Sequence, residues 1–191
     1  MAETKHTIVA LVEDKPGVMN RMSSLFRRRG FNIDSITVGH SELPDLSRVT
    51  IVVNGPPAIV EQVRKQLEKV VDVLKVSAIS EDSVSRELAL IKVKANAQTR
   101  SEIMQIVDIF RANIIDVAYD SLTVEVTGDE DKVNSLINLL RIFGIKEAAR
   151  TGLIAMVRGS QNTLQMEEKA TRPRSAKQKS SSKPPEKETE K

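Results

Sequence analysis

The sequence predicts an α+β chain of two ferredoxin-like β-α-β-β-α-β domains followed by a disordered basic tail. Three observations predict it. Short apolar runs of strand length alternate with stretches of helical period, twice over and in the same order. Gly and Pro punctuate the joints. Beyond Met166 only Ala170 and Ala176 are apolar, so that segment cannot bury enough surface to offset the entropy of ordering it.

The elements follow in order. His6 to Glu13 is an apolar run suited to a central strand. Val18, Met22, Leu25 and Phe26 then fall on one face of a helix that Gly30 stops. Phe31 to Val38 and Arg48 to Val53 read as strands joined by the turn-forming Ser41 to Asp45. Gly55-Pro56-Pro57 introduces a second helix, with Ile59, Val63, Leu67 and Val70 on one stripe, and Val71 to Ser77 closes the unit as a strand.

After the polar joint Ser80 to Ser83 the grammar repeats. Glu87 to Lys94 is a strand, and Ile103, Ile106, Val107 and Phe110 make a helix face. Ile114 to Tyr119 and Leu122 to Val126 pair across Asp120-Ser121. Gly128-Asp129 opens a helix with Val133, Leu136, Ile137 and Leu140 inward. Gly144-Ile145 and Gly152 to Val157 supply the last strand material. The expected domains are residues 5–79 and 84–158, with the tail at 162–191.

The pI of about 9.2 belongs to that tail. From Glu167 onward, eight Lys/Arg face five Asp/Glu, which accounts for the whole net charge of +3. Such a tail is either a solvated appendage or an electrostatic contact for an acidic partner. The chain has no cysteine, so it has no disulfide framework and no thiolate chemistry. No apolar run approaches a membrane span, and Met1 to His6 lacks a signal-peptide core; the expectation is a soluble cytoplasmic protein.

Catalytic raw material is thin. His6 and His40 are the only histidines, and no nucleophile elbow or phosphate loop is present. Asp129-Glu130-Asp131 sits at a helix start, where acids complement the dipole rather than a metal. The same strand order describes RNA-recognition modules, but those stack bases on sheet aromatics. The central strands here carry none, which argues against specific nucleic-acid binding. No catalytic and no metal-binding residue is expected.

One signal remains, the turn from Asp14 to Gly17 feeding a helix. Its free backbone N–H groups and positive dipole end suit a small carboxylate. An ordinary loop, with Gly17 for backbone freedom and Asp14 as a cap, explains the spacing equally well. Asn32, a polar amide at the head of the next strand, adds weight to the site: if two copies paired edge to edge, it would face the turn of the other.

At these residues the chain resembles a known family. Leu11 to Val18, Leu25 to Val38 and Leu46 to Ile51 are similar to the regulatory small subunit of acetolactate (acetohydroxyacid) synthase. Gln66 to Val76, Arg86 to Leu88, Phe110 to Val117 and Ala149 to Gly152 resemble it too, in order and without large gaps over roughly residues 5–160.

The resemblance implies an N-terminal ACT domain that binds an amino acid and dimerises, and a C-terminal ACT-like regulatory domain. It implies that Asp14 and the backbone of Gly17, Val18 and Met19 hold valine, with Asn32 and Ile33 contributed by a second copy. Some relatives carry Asn where this chain has Asp14. By the same resemblance the chain needs no cofactor. Thiamine diphosphate, FAD and magnesium belong to a catalytic large subunit, which condenses pyruvate in branched-chain amino acid biosynthesis. The small subunit stimulates it and confers valine feedback inhibition. The alternative is a stand-alone amino-acid-sensing ACT protein acting on another partner.

Overall fold

β1 (Lys5–Glu13) is apolar along most of its length because it is covered on both faces. The computed structural model describes residues 4–79, 82–160 and Leu164, and in it β1 lies at the centre of the first of two sheets. α1 (Val18–Arg29) follows, burying Val18, Met22, Leu25 and Phe26. It stops at Gly30, whose φ of 67° lets the amides of Gly30 and Phe31 turn back onto the carbonyls of Arg27 and Phe26.

β2 (Ile33–His40), β3 (Leu46–Asn54), α2 (Pro57–Leu67) and β4 (Val73–Ala78) complete the unit. All four strands are antiparallel to their neighbours in the order β2-β3-β1-β4. The period of two sends Ile8, Ala10, Val12, Val49, Ile51 and Val53 to the helix side.

The second unit repeats this plan with additions. β5 (Ser83–Lys94), α3 (Arg100–Ile109), β6 (Asn113–Val117), β7 (Ser121–Gly128), α4 (Glu130–Leu140) and β8 (Ile145–Arg150) give the order β6-β7-β5-β8. Its core gathers Ala89, Ile91 and Val93 from β5 with residues such as Val124, Leu136 and Leu140. At the start of α4, Asp129 accepts the Lys132 amide at 2.9 Å, the capping role expected of that acidic run.

Three expectations need correction. Val71 is not strand: it is 93 % exposed, in a turn closed by the Val73 amide on the Val70 carbonyl. Val70 likewise lies past the end of α2, though it still packs on the core. β5 begins at Ser83 rather than Glu87, because its first four residues pair with a ninth strand, β9 (Ile154–Val157). The tail expected at 162–191 lies outside the described residues, apart from Leu164. That residue is buried against Val9 and Leu11 on the face of the first sheet opposite its helices.

Candidate functional site

The turn after β1 is held from below. The Glu13 amide donates to the Asp72 carbonyl at 2.9 Å, and that of Asp14 to the Asp45 carbonyl at 2.8 Å. The largely buried Asp72 carboxylate accepts from Arg21 Nε at 2.5 Å, tying the first turn of α1 to the segment before β4. Lys15 Nζ meets Glu13 at 2.9 Å, and this hydrogen bond with its charge holds the ammonium above its ordinary range.

Gly17 occupies the cap position of α1 with φ 89°, a left-handed conformation that a side chain would strain. No side chain caps the helix. The Val18 amide reaches the Lys15 carbonyl at a long 3.4 Å, and Arg21 makes the first regular helical bond, to Gly17. Among the described residues the amides of Gly17, Met19 and Asn20 find no acceptor, so they point donors outward at the positive end of a twelve-residue helix. The Val18 side chain is buried, which leaves only its backbone at the surface of the turn, and Met19 is half-buried against the core.

Asp14 does not cap the helix, which corrects the loop reading. Its carboxylate lies on the rim, 3.2 Å from Nδ1 of His40, the exposed last residue of β2. Sequence reasoning missed His40 as a neighbour of the turn. Nothing local signals it, since the contact depends on the register of β2 on β3.

Asn32 and Ile33 lie elsewhere. Ile33 pairs with Val53, which pairs with His6, whereas the turn follows Glu13. Seven residues of strand separate the two levels, roughly 23 Å at the rise of an extended chain. Asn32 is exposed, and its carbonyl accepts the Asn54 amide at 3.4 Å. Within one chain, therefore, the two halves of the predicted site sit at opposite ends of the first sheet. β2, which carries the second half, is an edge strand with Ile36 and Val38 left 38 % and 45 % exposed.

The charged residues beside this edge connect to the second unit. Lys5 Nζ contacts Asp34 at 3.0 Å and also Glu130 at the start of α4. The Glu130 hydrogen bond is the main reason that the lysine is held above its ordinary range; partial burial opposes it and Asp34 adds to it. Among the described residues no three of His, Cys, Asp and Glu come together as a metal-binding cluster. No helix of those residues is long and apolar enough to cross a membrane.

Two family models match the chain. Residues 8–75 match an acetohydroxyacid synthase small subunit-like ACT domain, and residues 86–159 match the small subunit of acetolactate synthase. A probable acetolactate synthase small subunit of Archaeoglobus fulgidus is 60 % identical over 156 residues, covering 82 % of this chain and 98 % of that protein. The chain belongs to the acetolactate synthase small-subunit family. The small subunit of Mycobacterium bovis is 51 % identical over 160 residues, covering 83 % of this chain and 95 % of that one. The crystal structure of the small subunit from Thermotoga maritima superposes with a TM-score of 0.78 at 48 % identity, covering 83 % of this chain and 99 % of that one. The fold is thus two ACT-type β-α-β-β-α-β units, and membership of a small-subunit family implies a catalytic large subunit as partner.

Proposed function

We propose that this chain is a non-catalytic regulatory subunit that binds valine at a site shared by two copies. It stimulates the thiamine-diphosphate-dependent large subunit and makes it subject to feedback inhibition in branched-chain amino acid biosynthesis. FAD and magnesium, on this reading, also belong to the large subunit.

The observation that carries the reading is the separation of the two half-sites within one chain. The uncapped helix start at Gly17 supplies donors for a carboxylate, and Asp14 supplies an acceptor for an ammonium group. The Asn32–Ile33 end of the open-edged β2 lies too far away to complete the site in cis. Antiparallel pairing of two β2 edges about a centre near Ile36 places Asn32 of a second copy beside His40, and so beside Asp14. It also covers Ile36 and Val38. Bound valine then inhibits to the extent that it favours a less active holoenzyme.

Reconstitution with an acetolactate synthase large subunit under titrated valine, leucine and isoleucine tests this. Stimulation by the chain with inhibition by valine supports it. Binding of an amino acid without any effect on the large subunit moves the chain to the stand-alone sensor reading.

A further inference from the structure

β2 carries more than the predicted half-site. Its next residues are the ones on which the second domain rests. The Thr37 hydroxyl donates to the Thr151 carbonyl at 3.1 Å. Beside it Gly152, with φ 81°, lies so close that a Cβ there would stand 2.7 Å from Thr37 Oγ1 and 3.4 Å from Ser35 Cβ.

Open space flanks this joint on both sides. A cleft of about 430 Å³ lies toward Lys5, Glu130 and Leu153. Another of about 600 Å³ lies toward His40, Arg48 and Met156. The two domains therefore meet at this place along a narrow line rather than a broad packed face. Arg48 spans the second cleft to the Ala155 carbonyl at 2.7 Å. Lys5 closes the first by bridging Asp34 to Glu130.

We infer that β2 is the lever through which the occupied effector site acts on the second domain, by way of Thr37 on Thr151 and the Asp34–Lys5–Glu130 bridge. The inference rests on the site assignment proposed above and adds its route. Asp34 follows Ile33 directly, and Thr37 lies two repeats of the pleat beyond Ile33 on the same strand. A ligand that tightens the Asn32–Ile33 end draws on both contacts at once.

Past the joint the path is a chain of hydrogen bonds. Arg150, next to Thr151, grips the buried Glu87 through Nε at 3.2 Å and through Nη2, and reaches Asn134 on α4 at 2.9 Å. The Thr151 hydroxyl accepts the Leu88 amide at 3.1 Å. Movement at Thr151 is thus handed to β5 and α4 together. A short joint with space on both sides has room to pivot, and on this proposal bound ligand favours one setting of that pivot over another.

The test is a full-length double variant, Thr37→Val with Glu130→Gln, which removes one hydroxyl and one charge from the joint and touches no predicted effector residue. Valine binding to the small subunit is measured by calorimetry, and stimulation and valine inhibition are measured after reconstitution with the large subunit. The lever predicts valine affinity within about twofold of the parent chain, full stimulation without valine, and an inhibitory response weakened at least about fivefold. In the parent chain valine also changes hydrogen exchange in the peptide around residues 150–157, and in the variant it does not.

Undiminished inhibition in the variant overturns the lever. Binding and inhibition lost in parallel overturn it too, since the contacts would then shape the site rather than transmit from it. If the parent chain itself binds no valine, the site assignment fails and takes the lever with it, an outcome distinct from the other two.

Discussion

The turn from β1 into α1 and the turn from β5 into α3 hold the same place in two copies of one fold, yet they treat the donors that lead into the helix differently. In the second turn Asn96 Oδ1 accepts the amides of Gln98 and Thr99, each at 2.9 Å, and Thr99 Oγ1 accepts the Asn96 amide at 3.1 Å. Arg100 donates to the carbonyls of Ala118 and Tyr119 along the wall of an adjoining cavity of about 650 Å³. The first turn has Gly17 at the corresponding place, and its helix-start amides are left open. A helix N-terminus is an anion site only when the chain does not satisfy it internally. Among the described residues the second and third amides lack acceptors in both helices, but only in the first turn is the amide of the cap residue itself, Gly17, also free, whereas that of Thr99 is held by Asn96.

The largest expected effect comes from filling the open turn. Gly17→Asp puts a carboxylate where the ligand's own would sit, on a backbone at φ 89°. Valine inhibition should weaken by tenfold or more, on the order of the 1.4 kcal/mol that such a ratio represents. The same strained backbone should cost about 1 kcal/mol of stability. Inhibition curves and denaturant unfolding of the same variant separate the two, and an unchanged inhibition curve breaks the comparison.

Asn32→Ala should weaken inhibition less, by several-fold, on the order of one lost hydrogen bond at about 1 kcal/mol. Because Asn32 is exposed, its unfolding midpoint should not move. Mixed dimers sharpen this: a Gly17→Asp chain combined with an Asn32→Ala chain leaves one intact shared site and restores partial inhibition, whereas a site in cis would leave none.

Asn96→Ala should show the reverse profile. It removes the acceptor of the Gln98 and Thr99 amides and should cost about 1 kcal/mol of stability, read as a lower denaturation midpoint, with valine inhibition unaltered. A changed valine response would mean that the second turn is a ligand site after all. The smallest effect is expected from Arg64→Ala. Its pairs with Glu61 and Glu68 lie on the solvent side of α2, so the denaturation midpoint should barely move.

Much of this was legible in the chain itself. The faces of α1, α3 and α4 follow from apolar spacing alone, as does the doubled strand order, because each element must bury one stripe or one face. Gly30 and Asp129 announce their caps through residue chemistry. What escaped was contextual. Ser83 to Arg86 reads Ser-Val-Ser-Arg and shows no strand signal, and it is extended because β9 returns beside it. Val71 looks like strand by composition but sits in a turn, since Asp72 behind it is held by Arg21 and by the Glu13 amide. Tertiary contacts overrode local propensity at both places.

The sequence by itself determined the doubled strand and helix plan through periodicity and Gly and Pro placement, and its resemblance over roughly residues 5–160 pointed to the family, because residue order and spacing are local properties. Only the tertiary structure decided which donors stay free, that Asn32 stands at the far end of the sheet from the Gly17 turn, and that β2 also carries the joint to the second domain. Those depend on strand register and on which backbone groups pair, and pairing over long separations is decided when the whole chain packs.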